Sequence, residues 1–127
     1  MVANPVKEKS FTFAVRIIKL AAWLKKNNHF ELSQQIIRAG TSIGANVEEA
    51  LAGQSRKDFV AKMAIASKEA RETNYWLRLL IKSGVLSEKI CGSILSESEE
   101  IIKLLTSIVK TCQATGVTKN SKLKTKN

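Results

Sequence analysis

Histidine and proline each occur once in this chain, cysteine twice, and aromatic residues make up only 6% of it. Each scarcity removes a class of protein. His29 sits in an Asn27-Asn28-His29 turn, and nothing in the sequence suggests a serine or cysteine nucleophile beside it, so no catalytic relay is legible. The residue three before it is Lys26, so the Glu-x-x-His pairs of a di-metal bundle are absent too. No Cys-x-x-Cys, Gly-x-x-x-x-Gly-Lys or Gly-x-Gly-x-x-Gly occurs. These gaps predict a protein that is not an enzyme and carries no metal or cofactor. The shortage of proline and aromatics argues against a β-sandwich or barrel, which needs turn signals every ~8–12 residues and β-branched or aromatic strands.

Other absences bear on location. The opening stretch Met1 to Ser10 is charged and lacks the apolar run of a signal peptide. Charges interrupt every apolar stretch before the ~18 residues of a membrane helix. On one continuous helix Cys91 and Cys112 would stand roughly 31 Å apart, beyond disulfide reach. Free, buried thiols in a reducing cytoplasm are therefore expected.

What the chain does have is ordinary globular content and an unbalanced charge. Hydrophobic residues are 44% and charged residues 25%, over 127 residues. At ~150 residues per domain that is one domain. Lys and Arg number 21 against 11 Asp and Glu, a net charge of +10. Such a surface points to an anionic partner, nucleic acid first and an acidic membrane second.

Periodicity divides the chain into four helical segments. The first is expected from Ser10, a plausible N-cap, to Lys26, with Phe13, Ile17, Leu20 and Leu24 at helical spacing. The second runs from near Ser33 to Ala52 on Ile36, Gly40, Ile43, Val47 and Ala50 or Leu51, with Gly53 as a C′ residue. The third opens on the capping pattern Ser55-Arg56-Lys57-Asp58 and ends at Ser83 and Gly84. The fourth runs from Ser87 to about Gln113 on the seam Ile90, Ile94, Ser98, Ile101, Leu105, Ile108 and Cys112, alternating steps of four and three. Short connections make neighbours antiparallel, so the fold class is all-α, an up-down-up-down antiparallel four-helix bundle. The organisation reads as an N-terminal arm at 1–9, a bundle at 10–116 and a disordered, flexible lysine-rich tail at 117–127.

Four features of these segments carry functional information. Gly40 and Gly44 sit mid-helix at a cost of roughly 1 kcal/mol each against alanine, which implies a neighbour approaching closely. Arg38, Ser42, Asn46 and Glu49 line one arc of segment two, either as a solvated face or as partners for another helix or subunit. Segment three shows a second apolar arc at Ile65, Trp76 and Leu79, read either as a broad core face or as an oligomer interface. Arg56, Lys57, Lys68, Arg71, Arg78 and Lys82 share an arc of about 120° on the same segment, with Glu69 and Glu72 outside it. That stripe spans about 39 Å, and Tyr75 within it offers a stacking surface. With Lys119, Lys122, Lys124 and Lys126 of the tail, it is the candidate nucleic-acid contact. No base-reading motif accompanies it, so phosphates would be the main target.

The run Arg38-Ala39-Gly40-Thr41-Ser42-Ile43-Gly44-Ala45-Asn46-Val47-Glu48-Glu49-Ala50, followed by Ser55-Arg56-Lys57-Asp58-Phe59, resembles the bacterial four-helix-bundle proteins encoded in intervening sequences of 23S ribosomal RNA genes. Arg38, Ala39, Ser42, Ile43, Asn46, Val47, Glu49, Ser55 and Phe59 match that family's pattern, and Ile65-Ala66-Ser67-Lys68-Glu69-Ala70 resembles a second run. Gly44 stands where proline is frequent, Ala50 where glycine is usual, and Gly53-Gln54 where basic residues are common. The resemblance covers about residues 10–113. It implies an up-down bundle, a homo-oligomer with a pentamer favoured, and no known enzymatic activity. The accessory variability proteins of retroelements look like distant cousins, basic pentameric bundles associated with RNA and reverse transcriptase.

Together these readings describe a cytoplasmic, non-enzymatic, self-associating bundle that binds nucleic acid, RNA more than DNA, with no membrane and no small-molecule substrate. The competing reading is a protein-interaction scaffold whose basic face docks an acidic partner protein.

Overall fold

The computed structural model describes the backbone of residues 4–125 and the side chains of residues 4–114. It holds four helices: α1 (Pro5–Lys26), α2 (Phe30–Ala52), α3 (Arg56–Lys82) and α4 (Glu88–Thr125). Side-chain pairs show that every neighbouring pair is antiparallel. Gly40 faces Ile17 and Gly44 faces Ser10 across α1 and α2. Arg38 meets Glu72, and Glu49 meets Lys62, across α2 and α3. Asn74 meets Ser98, and Arg71 meets Thr106, across α3 and α4. Arg16–Glu97 at 2.6 Å and Lys9–Glu100 at 3.1 Å close α4 back onto α1. The chain is an up-down-up-down bundle, as periodicity and connection length require.

The helix starts differ from the sequence-based expectation in an instructive way. α1 begins at Pro5, with Asn4 as N-cap accepting from the Lys7 N–H at 3.2 Å. Asn before Pro is the stronger start, since Pro presets φ and its missing N–H is not needed at N1. Ser10 is not a cap, and Ser33 does not open α2. Both are buried inside helices, and Ser33 Oγ donates to the Ala21 carbonyl at 2.7 Å. They are small residues where α1 and α2 come close. α2 begins at Phe30, without a side-chain cap. Ser55 does cap α3, accepting from the Asp58 N–H at 3.0 Å.

The turns follow from a few residues. Asn28 takes φ 68° between α1 and α2, a left-handed conformation that asparagine tolerates. The His29 N–H reaches Leu24 O and the Asn28 N–H reaches Lys25 O, the two bonds of a Schellman closure. Gly84, at φ 83°, plays the same part after α3. Gly53 does not: it is extended at φ −64°, ψ 153°, because the next residues lead directly into the Ser55 cap. α4 continues past Gly116 to Thr125, further than the expected end at Gln113. One glycine lowers helix stability by roughly 1 kcal/mol without breaking the ladder. The tail side chains at 117–127, including Lys119, Lys122, Lys124 and Lys126, lie outside the described side chains.

The core is a continuous seam of Phe13, Ile17, Leu24, Ile36, Ile43, Val47, Met63, Leu77, Leu80, Ile101 and Leu105, each at most 1% exposed. One residue in the fourth seam is displaced. Ile90 is 76% exposed, and Cys91 is buried instead. Steps of three and four both lead to Ile94, so spacing could not choose between positions 90 and 91. Leu86, buried in the loop after α3, fills the end of the core and leaves Ile90 outside it.

Candidate nucleic-acid interface

The polar arc of α2 turns toward α3. Arg38 pairs with Glu72 and lies 3.5 Å from Glu69, and Glu49 pairs with Lys62 at 2.8 Å. Ser42 and Asn46 are half-buried and donate within their own helix, to the Arg38 and Ser42 carbonyls. Arg38 and Glu49 themselves remain exposed. The arc thus laces two helices of one chain together at the bundle surface.

The Glu72 carboxylate is the centre of that lacing. It accepts from the Trp76 indole N–H at 3.1 Å as well as from Arg38. The indole bond, and then the Arg38 charge, hold it below its ordinary 4.5, against the opposing effect of burial. A depressed folded-state value contributes stability above the unfolded-state value and loses it as pH falls through the folded one. The stability gap between the parent and Glu72→Gln should therefore be widest near neutrality and shrink below pH 4.5. Thermal melts across that range check this; a gap independent of pH would overturn it.

With Glu69 and Glu72 drawn toward α2, the opposite flank of α3 is left basic. Arg56, Lys57, Lys68, Arg71, Arg78 and Lys82 are all exposed. None of the six forms an ion pair among the described residues, whereas Lys7, Lys9, Arg16, Arg38 and Lys62 all do. The three arginines of the stripe are instead anchored to neutral acceptors. Arg56 donates to the Cys112 carbonyl at 3.3 Å, Arg71 to Thr106 Oγ1 at 2.9 Å, and Arg78 Nε to Asn74 Oδ1 at 2.8 Å. Each guanidinium is held without being neutralised. Lys57 and Lys68 lie further round the helix, on its outward side.

Two features of this face escaped the sequence analysis. Lys103 and Lys110 of α4 line a groove with Arg71 and continue the positive surface onto a second helix. Helix-by-helix wheels could not show this, because the α3–α4 register decides it. Beneath Arg78, Asn74 is buried and donates to Ser98 Oγ at 2.9 Å, and Ser98 donates to the Leu95 carbonyl at 2.6 Å. A polar residue at a core position of each helix was the available signal.

Of the second apolar arc on α3, Ile65 and Leu79 are about 40% exposed, while Trp76 is half-buried. A further apolar face, on α1, went unread: Phe11, Val15 and Ile18 are all exposed, with Leu51 of α2 near Phe11. Cys91 is free and buried, and burial raises its thiol above the ordinary range; Cys112 is free and half-buried. Among the described residues no cluster of three metal-ligating side chains occurs, and no helix is long and apolar enough to cross a membrane.

A family model, described as 23S rRNA-intervening sequence protein, matches residues 3–107. The chain belongs to that family. The chain is also similar to a crystal structure, at 1.70 Å resolution, of a protein with unknown function from the S23 ribosomal protein family of Bacteroides thetaiotaomicron. The two are 52% identical with a TM-score of 0.80, over 83% of this chain and 98% of that one. No curated protein matches the sequence. The family match begins at residue 3, so it includes the helical turns before Ser10.

Proposed function

We propose that this protein is a non-enzymatic, self-associating cytoplasmic bundle that binds nucleic acid through the α3–α4 face. The observation that carries the reading is the unpaired stripe: six exposed cations on α3 without an ion-pair partner among the described residues. Surface helices ordinarily mix charge signs. Here Glu69 and Glu72 of α3 face Arg38 of α2, away from the stripe. The family's association with 23S ribosomal RNA genes favours RNA over DNA. Because no base-reading element accompanies the stripe, phosphates are the main contact.

Self-association is supported by large apolar side chains left exposed on two separate faces of the bundle, Ile65 on α3 and Phe11, Val15 and Ile18 on α1. A pentamer is the assembly that the family resemblance implies. Light scattering at micromolar concentration should find particles of several chains, and a monomer would end that part of the reading.

A salt titration tests the binding itself. If all six stripe cations engage phosphates, affinity for RNA should fall with a log–log slope of about −4 to −5, at ~0.7–0.9 per contact. Polyglutamate provides the comparison. Tighter binding to polyglutamate than to RNA at the same salt would assign the face to an acidic protein partner.

A further inference from the structure

The stripe explains attraction to phosphates but leaves Tyr75 unused. Its ring is 49% exposed, in the middle of a cationic surface. We propose that the groove beside it, between the C-terminal half of α3 and the start of α4, receives one unstacked base of a single-stranded RNA. This inference rests on the nucleic-acid reading above and narrows it to a substrate class.

The groove has the parts such a site needs. It is an open groove of about 470 Å³, within the ~300–1,000 Å³ of small-ligand clefts. Leu79, Ile81 and Leu95 supply its apolar lining, and Tyr75, Arg78 and Lys82 its polar rim. The Arg78 guanidinium carbon lies 5.8 Å from the centre of the Tyr75 ring. Trp76 packs against the same ring at 5.7 Å with the planes 67° apart. These two contacts hold the phenol in place before any ligand arrives.

Arg78 is itself positioned from below. Asn74, buried and tied to Ser98, fixes its Nε. Among the described residues no acceptor engages the terminal Nη groups of Arg78. They are left for a phosphate, and a guanidinium offers them as a fork suited to it. Lys82 adds a second charge one helical turn on. Glu88, on the α4 side of the groove, repels phosphate and so favours a strand whose backbone runs along the α3 rim. From there Arg71, Lys103 and Lys110 continue the positive path along the adjoining groove.

A duplex cannot use this arrangement. Its bases are paired and stacked, and only its backbone and shallow groove are presented to a protein surface. An unpaired base, by contrast, offers a π-face to an aromatic ring whatever its identity, so the site selects strandedness and not sequence. The combination of an anchored aromatic, an anchored guanidinium and an apolar recess is what distinguishes this end of the stripe from the Arg56 end.

The test uses the full chain with two probes, oligoadenylate and a short mixed-sequence RNA duplex, read by fluorescence anisotropy at fixed salt. Tyr75→Ala should weaken oligoadenylate binding about tenfold, a typical loss for a stacking aromatic, and change duplex binding by less than about twofold. Tyr75→Phe keeps the ring and should bind like the parent. 2-Aminopurine placed in the strand should be quenched by the parent and Tyr75→Phe, and not by Tyr75→Ala. Equal losses on both probes, or no change on either, would overturn the inference while leaving phosphate binding by the stripe intact. A parent that binds neither probe would instead overturn the wider nucleic-acid reading.

Discussion

Reversal of Arg71 and Arg78 to glutamate is expected to weaken RNA binding by at least about 25- to 60-fold at ~0.1 M salt. Each lost phosphate contact removes ~0.7–0.9 from the log–log slope, which at that salt is roughly the same number of decades in affinity. Two contacts thus account for about 1.4–1.8 decades, and the introduced carboxylates add repulsion to this. The salt slope should flatten by the same amount. Both arginines are exposed, and their anchors, Thr106 and Asn74, belong to side chains that stay in place. Far-ultraviolet dichroism should accordingly show an intact bundle. Reversal of Lys7 and Lys9, which pair with Glu48 and Glu100 on other faces, changes net charge equally and serves as the control. If the control loses as much affinity as the stripe reversal, binding follows net charge alone and the α3–α4 face is not the site.

The second large effect concerns stability. A side chain at Gly40 should destabilise the bundle, and one at Gly44 should not, although both glycines sit mid-helix in α2. A Cβ at Gly40 would stand 2.6 Å and 2.8 Å from the Ile17 Cγ2 and Cγ1 atoms, and 3.1 Å from Ile17 Cβ. Ile17 is fully buried and cannot swing away. Overpacking of this kind costs ~1–3 kcal/mol and outweighs the ~1 kcal/mol that a helix gains on replacing glycine by alanine. Gly40→Val, larger and β-branched, should cost about 3 kcal/mol, a fall in Tm of roughly 10 °C for a chain of this size. At Gly44 the nearest atom is the Ser10 carbonyl oxygen at 3.4 Å, an ordinary contact, so Gly44→Ala should be neutral or up to ~1 kcal/mol stabilising. Gly40→Val and Ile17→Ala together should cost less than the sum of the two alone, because the cavity of one change receives the methyls of the other. Strict additivity in that cycle would show that the two residues do not share the space.

The interior and the helix count were legible in the sequence because they depend on period. Phe13, Ile17, Leu24, Ile36, Ile43, Val47, Ile101 and Leu105 repeat at helical spacing, and burial of such a stripe has one economical solution when the connections are short. The basic arc of α3 was legible for the same reason. Six cations at helical spacing share a face whatever the helix packs against. Local chemistry also fixed the Ser55 cap and the Gly84 turn, each decided within four residues.

Tertiary structure decided what depends on register between helices. Spacing allowed Ile90 or Cys91 into the core, and the position of Leu86 at the bundle end chose Cys91. Ser10 and Ser33 carry the chemistry of caps, but the close approach of α1 to α2 used them as small buried residues, while Asn4 and Pro5 supplied the start. Arg38 needed a partner that its own helix could not offer, and only the α2–α3 register showed it to be Glu72. That same pairing draws the acids of α3 away from its other flank and leaves the stripe uncompensated. The extension of the positive surface through Lys103 and Lys110, and the anchoring of Arg78 through Asn74 and Ser98, arise only where α3 meets α4. Periodicity specifies which side of a helix is apolar or charged; the distance between side chains on different helices is set by packing, and interactions that fall off within a few ångströms depend on that distance.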